Sequence, residues 1–287
     1  MSWMNEVHKI EDGLYCILDV QSVNKYLIVG RDRALLFDTG FGFEPLEPIL
    51  QGITDKPVVA VDSHADPDHC LGNYLFDEVY LSRYDYRNLG VNDQPATKRG
   101  QLDYRLQKRG SKLADEMGDQ DAWMAHSVYE PRYRLIDEGF VFDLGGLALE
   151  VVALPGHTSG SIALYQPERG WLFTGDSVMD HNVYYVALGD PPRGPDPMMV
   201  YYDSMCRLQR RKRDFTVLFP GHGPYGISPA AIDDAVENLR QIHAGAGEER
   251  PVDIAFGLTA TQHRHGTSLI YYADAYVREF RAGRLVH

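Results

Sequence analysis

Apolar residues in this chain come in short compact runs, most of them bounded by glycine, proline or aspartate. Eight runs predict strands: Tyr26–Val29, Ala34–Phe37, Val58–Val61, Val79–Leu81, Leu147–Leu154, Ser161–Tyr165, Trp171–Phe173 and Val217–Phe219. Most are rich in β-branched or aromatic residues, which suit a pleated, buried surface. In two other segments apolar residues return at three- and four-residue spacing, which predicts helices over Asp233–Ala244 and Tyr271–Arg281. Strands first, then strand–helix alternation, predict a mixed α/β chain with layered sheets. No short repeat, low-complexity segment or linker interrupts the pattern, so a single domain over residues 1–287 is expected.

Two stretches break the apolar rhythm. Residues 83–134 are charged and polar, with Tyr84, Tyr86, Tyr104, Trp123, Tyr129 and Tyr133 interspersed. Residues 181–204 carry His181, Tyr184, Tyr185, a Pro/Gly-rich turn at Asp190–Pro197, then Tyr201 and Tyr202. Each reads either as an inserted lid over a binding site or as a surface insertion supporting stability or dimerisation. A basic run, Arg207, Arg210, Arg211, Lys212 and Arg213, is expected to be a solvated helix face.

Composition narrows the partners. With 44% apolar and 11% aromatic residues, the 287-residue chain can bury an ample core. A net charge of −13 argues against a nucleic-acid partner, because phosphate contact needs a basic face. No run approaches the roughly 18 apolar residues of a membrane span, and Met1–Glu6 shows no secretory pattern. The expected partner is a small-molecule substrate, with no nucleic acid and no membrane; a homodimer stays open. Cys16, Cys70 and Cys206 are odd in number and far apart, as expected of reduced thiols in a cytoplasmic protein. Cys70 follows His69 directly and is expected to be buried and structural rather than part of a site.

Candidate chemistry lies where the apolar runs end. His64 follows Val58–Val61, His157 follows Leu149–Leu154, Asp176 follows Trp171–Phe173, and His222 follows Val217–Phe219. In α/β sheets sites form beyond the carboxyl ends of strands, so four ligand-type residues at four such ends point to a metal site. His64-Ala65-Asp66-Pro67-Asp68-His69 packs four potential ligands into six residues. So tight a loop serves two neighbouring ions more easily than one. Asp176, alone on its own loop, suits a bridge between them. Gly156-His157-Thr158-Ser159-Gly160-Ser161 lacks the Gly-x-Ser-x-Gly turn of a serine nucleophile.

These segments resemble the metallo-β-lactamase superfamily, whose pattern is His-x-His-x-Asp-His, then Gly-His, Gly-Asp and Gly-His in that order. Here they are His64-x-Asp66-x-Asp68-His69, Gly156-His157, Gly175-Asp176 and Gly221-His222, preceded by Asp38-Thr39-Gly40 after an apolar strand. The resemblance implies a four-layer αββα sandwich, here with a mostly helical insertion, and two divalent metal ions. One ion would take His64, Asp66 and His157; the other Asp68, His69 and His222, with Asp176 bridging and Asp38 orienting the ligands. It also implies a hydrolase in which a metal-bridging hydroxide, oriented by Asp68, attacks an ester, thioester, lactone, phosphoester or similar group.

Asp66 departs from the pattern, which has histidine there. A carboxylate in place of imidazole moves the preference from zinc toward iron or manganese without excluding zinc. A flavodiiron branch carries glutamate at this position, so a diiron oxidoreductase with a separate electron donor is the alternative. A non-catalytic metabolite sensor is the third reading. Among other histidines, His181 is a surface-loop residue with some prospect of substrate contact. His263 and His265 are expected to be exposed rather than to return to the site, and His8, His126, His243 and His287 carry no signal.

Overall fold

The structure is a computed structural model that describes residues 5–19, 23–117, 119–180, 183–186, 197–253 and 259–285. His181, the Asp190–Pro197 turn up to residue 196, and His287 lie outside them. The chain divides into two compact units, Met1–Ile136 with Val141–Ala148, and Asp137–Phe140 with Leu149–His287.

The first unit is built on a seven-stranded sheet whose strands lie in chain order. They are β1 (Asn5–Glu11), β2 (Leu14–Asp19), β3 (Asn24–Val29), β4 (Ala34–Phe37), β5 (Val58–Val61), β6 (Glu78–Ser82) and β7 (Arg132–Ile136). The first four pair antiparallel. From β4 to β7 every pairing is parallel. All four residues of β4 are buried, as expected of a central strand covered on both faces. The crossovers carry α1 (Glu47–Gln51), α2 (Pro67–Cys70) and a helical insertion of α3 (Leu89–Asn92), α4 (Pro95–Arg109), α5 (Ser111–Met117) and α6 (Gln120–Ala125). A three-residue strand, β8 (Val141–Asp143), follows.

In the register of β4 and β5, Phe37 stands beside Val61. Asp38 and the Asp62–His64 segment therefore leave the sheet side by side at one edge, the carboxyl end of both strands. The insertion is no detached appendage. Leu102, Leu113 and Trp123 share one apolar cluster with Ala65, Cys70 and Leu71, the residues around the metal-type loop.

The second unit contains β9 (Ala148–Ala153), β10 (Ile162–Gln166), β11 (Trp171–Gly175), β12 (Val183–Val186), α7 (Pro197–Arg210), β13 (Val217–Pro220), α8 (Ala230–Ala244), β14 (Glu249–Asp253), β15 (Thr259–His265), β16 (Ser268–Tyr272) and α9 (Asp274–Ala282). One sheet runs β13–β11–β10–β9 and another β12–β16–β15–β14. β11 and β13 are parallel, with Gly175 beside Pro220, so Asp176 and Gly221-His222 emerge together. The Gly221 N–H donates to Gly175 O at 2.8 Å and ties the two exits. Tyr201 and Tyr202, on α7, are fully buried in the core.

Mixed α/β architecture is borne out, with local corrections. The helix expected from Tyr271 starts at Asp274, because Tyr271 and Tyr272 belong to β16. The polar strands β1, β14 and β15 were not expected at all. The basic run forms the last turn of α7 and the turn after it, and three of its members are paired. Arg207 donates to Ala153 O at 2.6 Å, Arg211 meets Asp214 at 3.2 Å, and Lys212 pairs with Asp233.

Candidate metal centre

The first unit gathers His64, Asp66, Asp68 and His69. Asp38 organises them, and it is the one non-glycine residue among the described ones with a left-handed backbone (φ 69°). Aspartate tolerates that region better than most side chains. The turn brings its buried carboxylate against His69 directly and toward His64 through Ser63. Oδ1 accepts the Ser63 N–H at 2.7 Å; Oδ2 accepts the Ser63 hydroxyl at 2.9 Å and His69 Nδ1–H at 2.9 Å. A hydroxyl has one proton. Since Ser63 Oγ donates it to Asp38, Oγ accepts from His64 Nδ1–H, 2.8 Å away. Both imidazoles are thereby held as Nδ1–H tautomers with Nε2 carrying the lone pair, the state a metal ligand needs. Their ring centroids lie 4.1 Å apart.

Each Nε2 faces a carboxylate. His64 Nε2 lies 3.6 Å from Asp66 Oδ2, and His69 Nε2 lies 4.0 Å from Asp68 Oδ2. Two ligands on one tetrahedral ion, with bonds of about 2.1 Å, stand about 3.4 Å apart. The His64–Asp66 gap is thus nearer to ion sharing than to hydrogen bonding, and the His69–Asp68 gap is looser. Asp66 occupies the N-cap position of α2, yet its side chain makes no capping hydrogen bond. Only its backbone carbonyl serves the helix, accepting from His69 N at 2.9 Å and Cys70 N at 3.1 Å. The ordinary explanation for an aspartate before a short helix is therefore absent.

The second unit gathers His157, Asp176 and His222. Asp176 Oδ2 lies 3.8 Å from His157 Nε2 and 3.4 Å from His222 Nε2, so one carboxylate oxygen serves two imidazoles. Gly156 permits the turn into His157: a Cβ there would meet the Tyr201 ring at 2.4 Å. His157 and Asp176 are buried, and His222 is partly exposed.

Several supports were not legible in the sequence. Asp85, fully buried in the insertion, accepts Ala65 N–H at 2.9 Å. Asn92 donates to Ala65 O and, at 3.4 Å, to Cys70 Sγ. Asn73 donates to Asp62 Oδ2 at 2.6 Å and accepts from the Thr39 hydroxyl at 2.7 Å. Complete burial pushes the Asp62 carboxyl well above the usual carboxylate range, against the Asn73 hydrogen bond. Burial likewise pushes the fully buried Cys70 thiol far up, in keeping with a structural cysteine.

Four other histidines are held by local contacts. His263 is fully buried, not exposed as expected; Nδ1 bonds Asn238 at 2.5 Å and Nε2 bonds Ala246 O at 2.8 Å. His265 bonds Gln241 at 2.9 Å. His126 stacks on Tyr74 with centroids 3.8 Å apart, and His243 bonds Gly283 O at 2.9 Å. A groove of about 690 Å³ lies between α1, the amino end of β5 and the Leu75–Tyr80 segment, at the far end of β5 from His64.

The sequence profile of the metallo-beta-lactamase superfamily matches residues 18–240. An acyl-coenzyme A thioesterase from Homo sapiens is 28% identical over 195 residues, 60% of this chain and 66% of that protein. The chain thus spans just under two thirds of that relative. A beta-lactamase-like protein 2 homolog from Caenorhabditis elegans is 32% identical over 256 residues, 83% of this chain and 69% of that protein. A metallo-beta-lactamase family protein from Thermus thermophilus superposes with a TM-score of 0.61 at 22% identity, covering 83% of this chain and 82% of that one. That likeness concerns the fold alone.

Proposed function

Because the chain belongs to the metallo-beta-lactamase superfamily, we propose that it is a metal-dependent hydrolase acting on a small thioester. The observation that carries this reading is the ligand geometry within each unit, above all the single Asp176 oxygen between His157 and His222. The donor set of four imidazoles and three carboxylates suits two divalent ions, zinc first, with iron or manganese as alternatives. We assign His64, Asp66 and His157 to one ion, Asp68, His69 and His222 to the other, and Asp176 to both, following the motif order. The thioester class is supported by the name of the human relative. Three free, buried cysteines support a cytoplasmic setting.

Two such ions, when bound, supply a Lewis acid for the carbonyl and lower the pKa of water. The chain does the rest. Asp38 and Ser63 hold the Nε2 lone pairs of His64 and His69 outward. Asp68, partly exposed, orients the attacking water and takes its proton on a carboxylate oxygen. That proton passes to the sulfur as the carbon–sulfur bond breaks, leaving a carboxylic acid and a thiol.

The test is a panel of thioester, ester, lactone and phosphodiester substrates, assayed on zinc-loaded and chelator-stripped protein. The expected outcome is thiol release that is lost on stripping and restored by metal. Metal-replete protein inactive on the whole panel would overturn the hydrolase. Iron as isolated, with oxygen consumption in the presence of a donor, would favour the diiron reading that Asp66 keeps open.

A further inference from the structure

Helix α4 is unusual in so acidic a chain. It carries Lys98, Arg99, Arg105, Lys108 and Arg109 against one carboxylate, Asp103. Two of the cations have local partners. Lys98 Nζ donates to the carbonyls of Trp123, Met124 and His126 at the end of α6, and Arg99 lies 3.8 Å from Asp103. Arg105 is different. Among the described residues no carboxylate lies within 4 Å of it, and its Nε is buried without a hydrogen-bond partner. Its guanidinium lies over the Phe41 ring, 4.6 Å from the centroid, and 5.2 Å from that of Tyr104. Lys108, one turn on, stands 5.4 Å from the same Tyr104 ring.

The location connects this pair to the candidate metal centre. Phe41 follows Thr39 and Gly40, whose N–H groups both donate to His69 O, at 2.9 and 3.2 Å. The Phe41 carbonyl accepts Trp123 Nε1–H at 3.0 Å, which pins that segment to the insertion. Leu102, three residues before Arg105, is fully buried in the shared cluster. Arg105 is therefore held on the inner side of the insertion, against the segment that supports a candidate ligand. A guanidinium offers five donors and no acceptor, and matches phosphate bidentately. Arg105 and Lys108, one turn apart on α4 and both within 5.4 Å of the Tyr104 centroid, concentrate positive charge around that ring.

We propose that Arg105 and Lys108 bind a phosphate group on the carrier end of the substrate thioester, which makes them specificity-determining residues. The proposal rests on the thioester reading, and its test separates the two. Metal-loaded protein is assayed on an acyl-coenzyme A and on the same acyl group carried by phosphate-free N-acetylcysteamine. Arg105→Ala is expected to lower kcat/KM for the phosphorylated substrate about 10- to 100-fold more than for the phosphate-free one, through KM. Arg105→Lys should restore part of that preference, and added salt should erode it in the wild type. Equal losses on both substrates with a lower melting temperature would show that Arg105 only packs on Phe41, and would overturn the proposal. So would an unchanged preference. If the wild type hydrolyses neither thioester, the thioester reading fails and the site is judged by calorimetry with free coenzyme A. Binding tighter than that of pantetheine, and lost in Arg105→Ala, sustains it; no difference overturns it.

Discussion

Replacing Asp38 by asparagine changes one oxygen into an NH₂ group at almost constant volume, and asparagine tolerates the left-handed backbone at least as well. The substitution therefore isolates hydrogen-bond chemistry from backbone strain. The native carboxylate accepts three hydrogen bonds, from Ser63 N, Ser63 Oγ and His69 Nδ1. Asparagine has one oxygen, and if it stays on the Ser63 N–H its amino group faces two donors. Relief requires Ser63 to turn its proton toward His64 Nδ1 and His69 to move its own from Nδ1. Each change places a proton on Nε2, and a protonated nitrogen cannot ligate. Loss of an orienting partner costs about 10- to 100-fold in metal affinity per ligand. With both histidines affected, the expected loss is roughly 100- to 10,000-fold. Each lost bond to the carboxylate also costs about 1.5–3 kcal/mol of stability before relaxation. Competition with a chromophoric chelator measures the affinity, and a melt of metal-free protein measures the stability. Ser63→Ala, which removes the His64 contact but leaves the His69–Asp38 hydrogen bond in place, should give the smaller loss. If Asp38→Asn binds metal as tightly as the wild type, the tautomer assignment is wrong.

Asp66→His should raise zinc retention through dialysis; unchanged metal identity and occupancy would refute a tuning role for Asp66. Gly156→Ala should cost about 1–3 kcal/mol by thermal melting, from overpacking against buried Tyr201. Glu78 is held below its usual value of 4.5 by hydrogen bonds from Arg134, then Arg132. Its depressed folded-state value means the contribution is present above pH 4.5 and lost as pH falls below it. The melting difference between wild type and Glu78→Gln should therefore shrink on acidification, and a constant gap would contradict the assignment. Both arginines are largely exposed, so the neutral-pH gap should be small.

The candidate ligands were legible because each follows a short apolar run, and a strand's end fixes where the next residues go. Their supports were not. Ser63, Asn73, Asp85 and Asn92 are ordinary polar residues: the Asp38–Thr39 turn gives the first two their work, and the packing of the insertion against the 64–70 loop gives it to the last two. The strand–helix boundary at Ala273 was hidden for a related reason. Tyr272, Tyr276 and Phe280 are spaced by four, so a helical rhythm begins inside the strand. β1, with mostly exposed or half-exposed side chains, has too little apolar contrast to announce itself.

The apolar cluster joining Leu102, Leu113 and Trp123 to Ala65, Cys70 and Leu71 bears on how such proteins can be re-engineered. A graft that exchanges residues 83–131 for a relative's insertion would also exchange half the bedding beneath the 64–70 loop. New specificity and intact metal binding could then be inherited together only if the two faces of that bedding were transplanted as one piece.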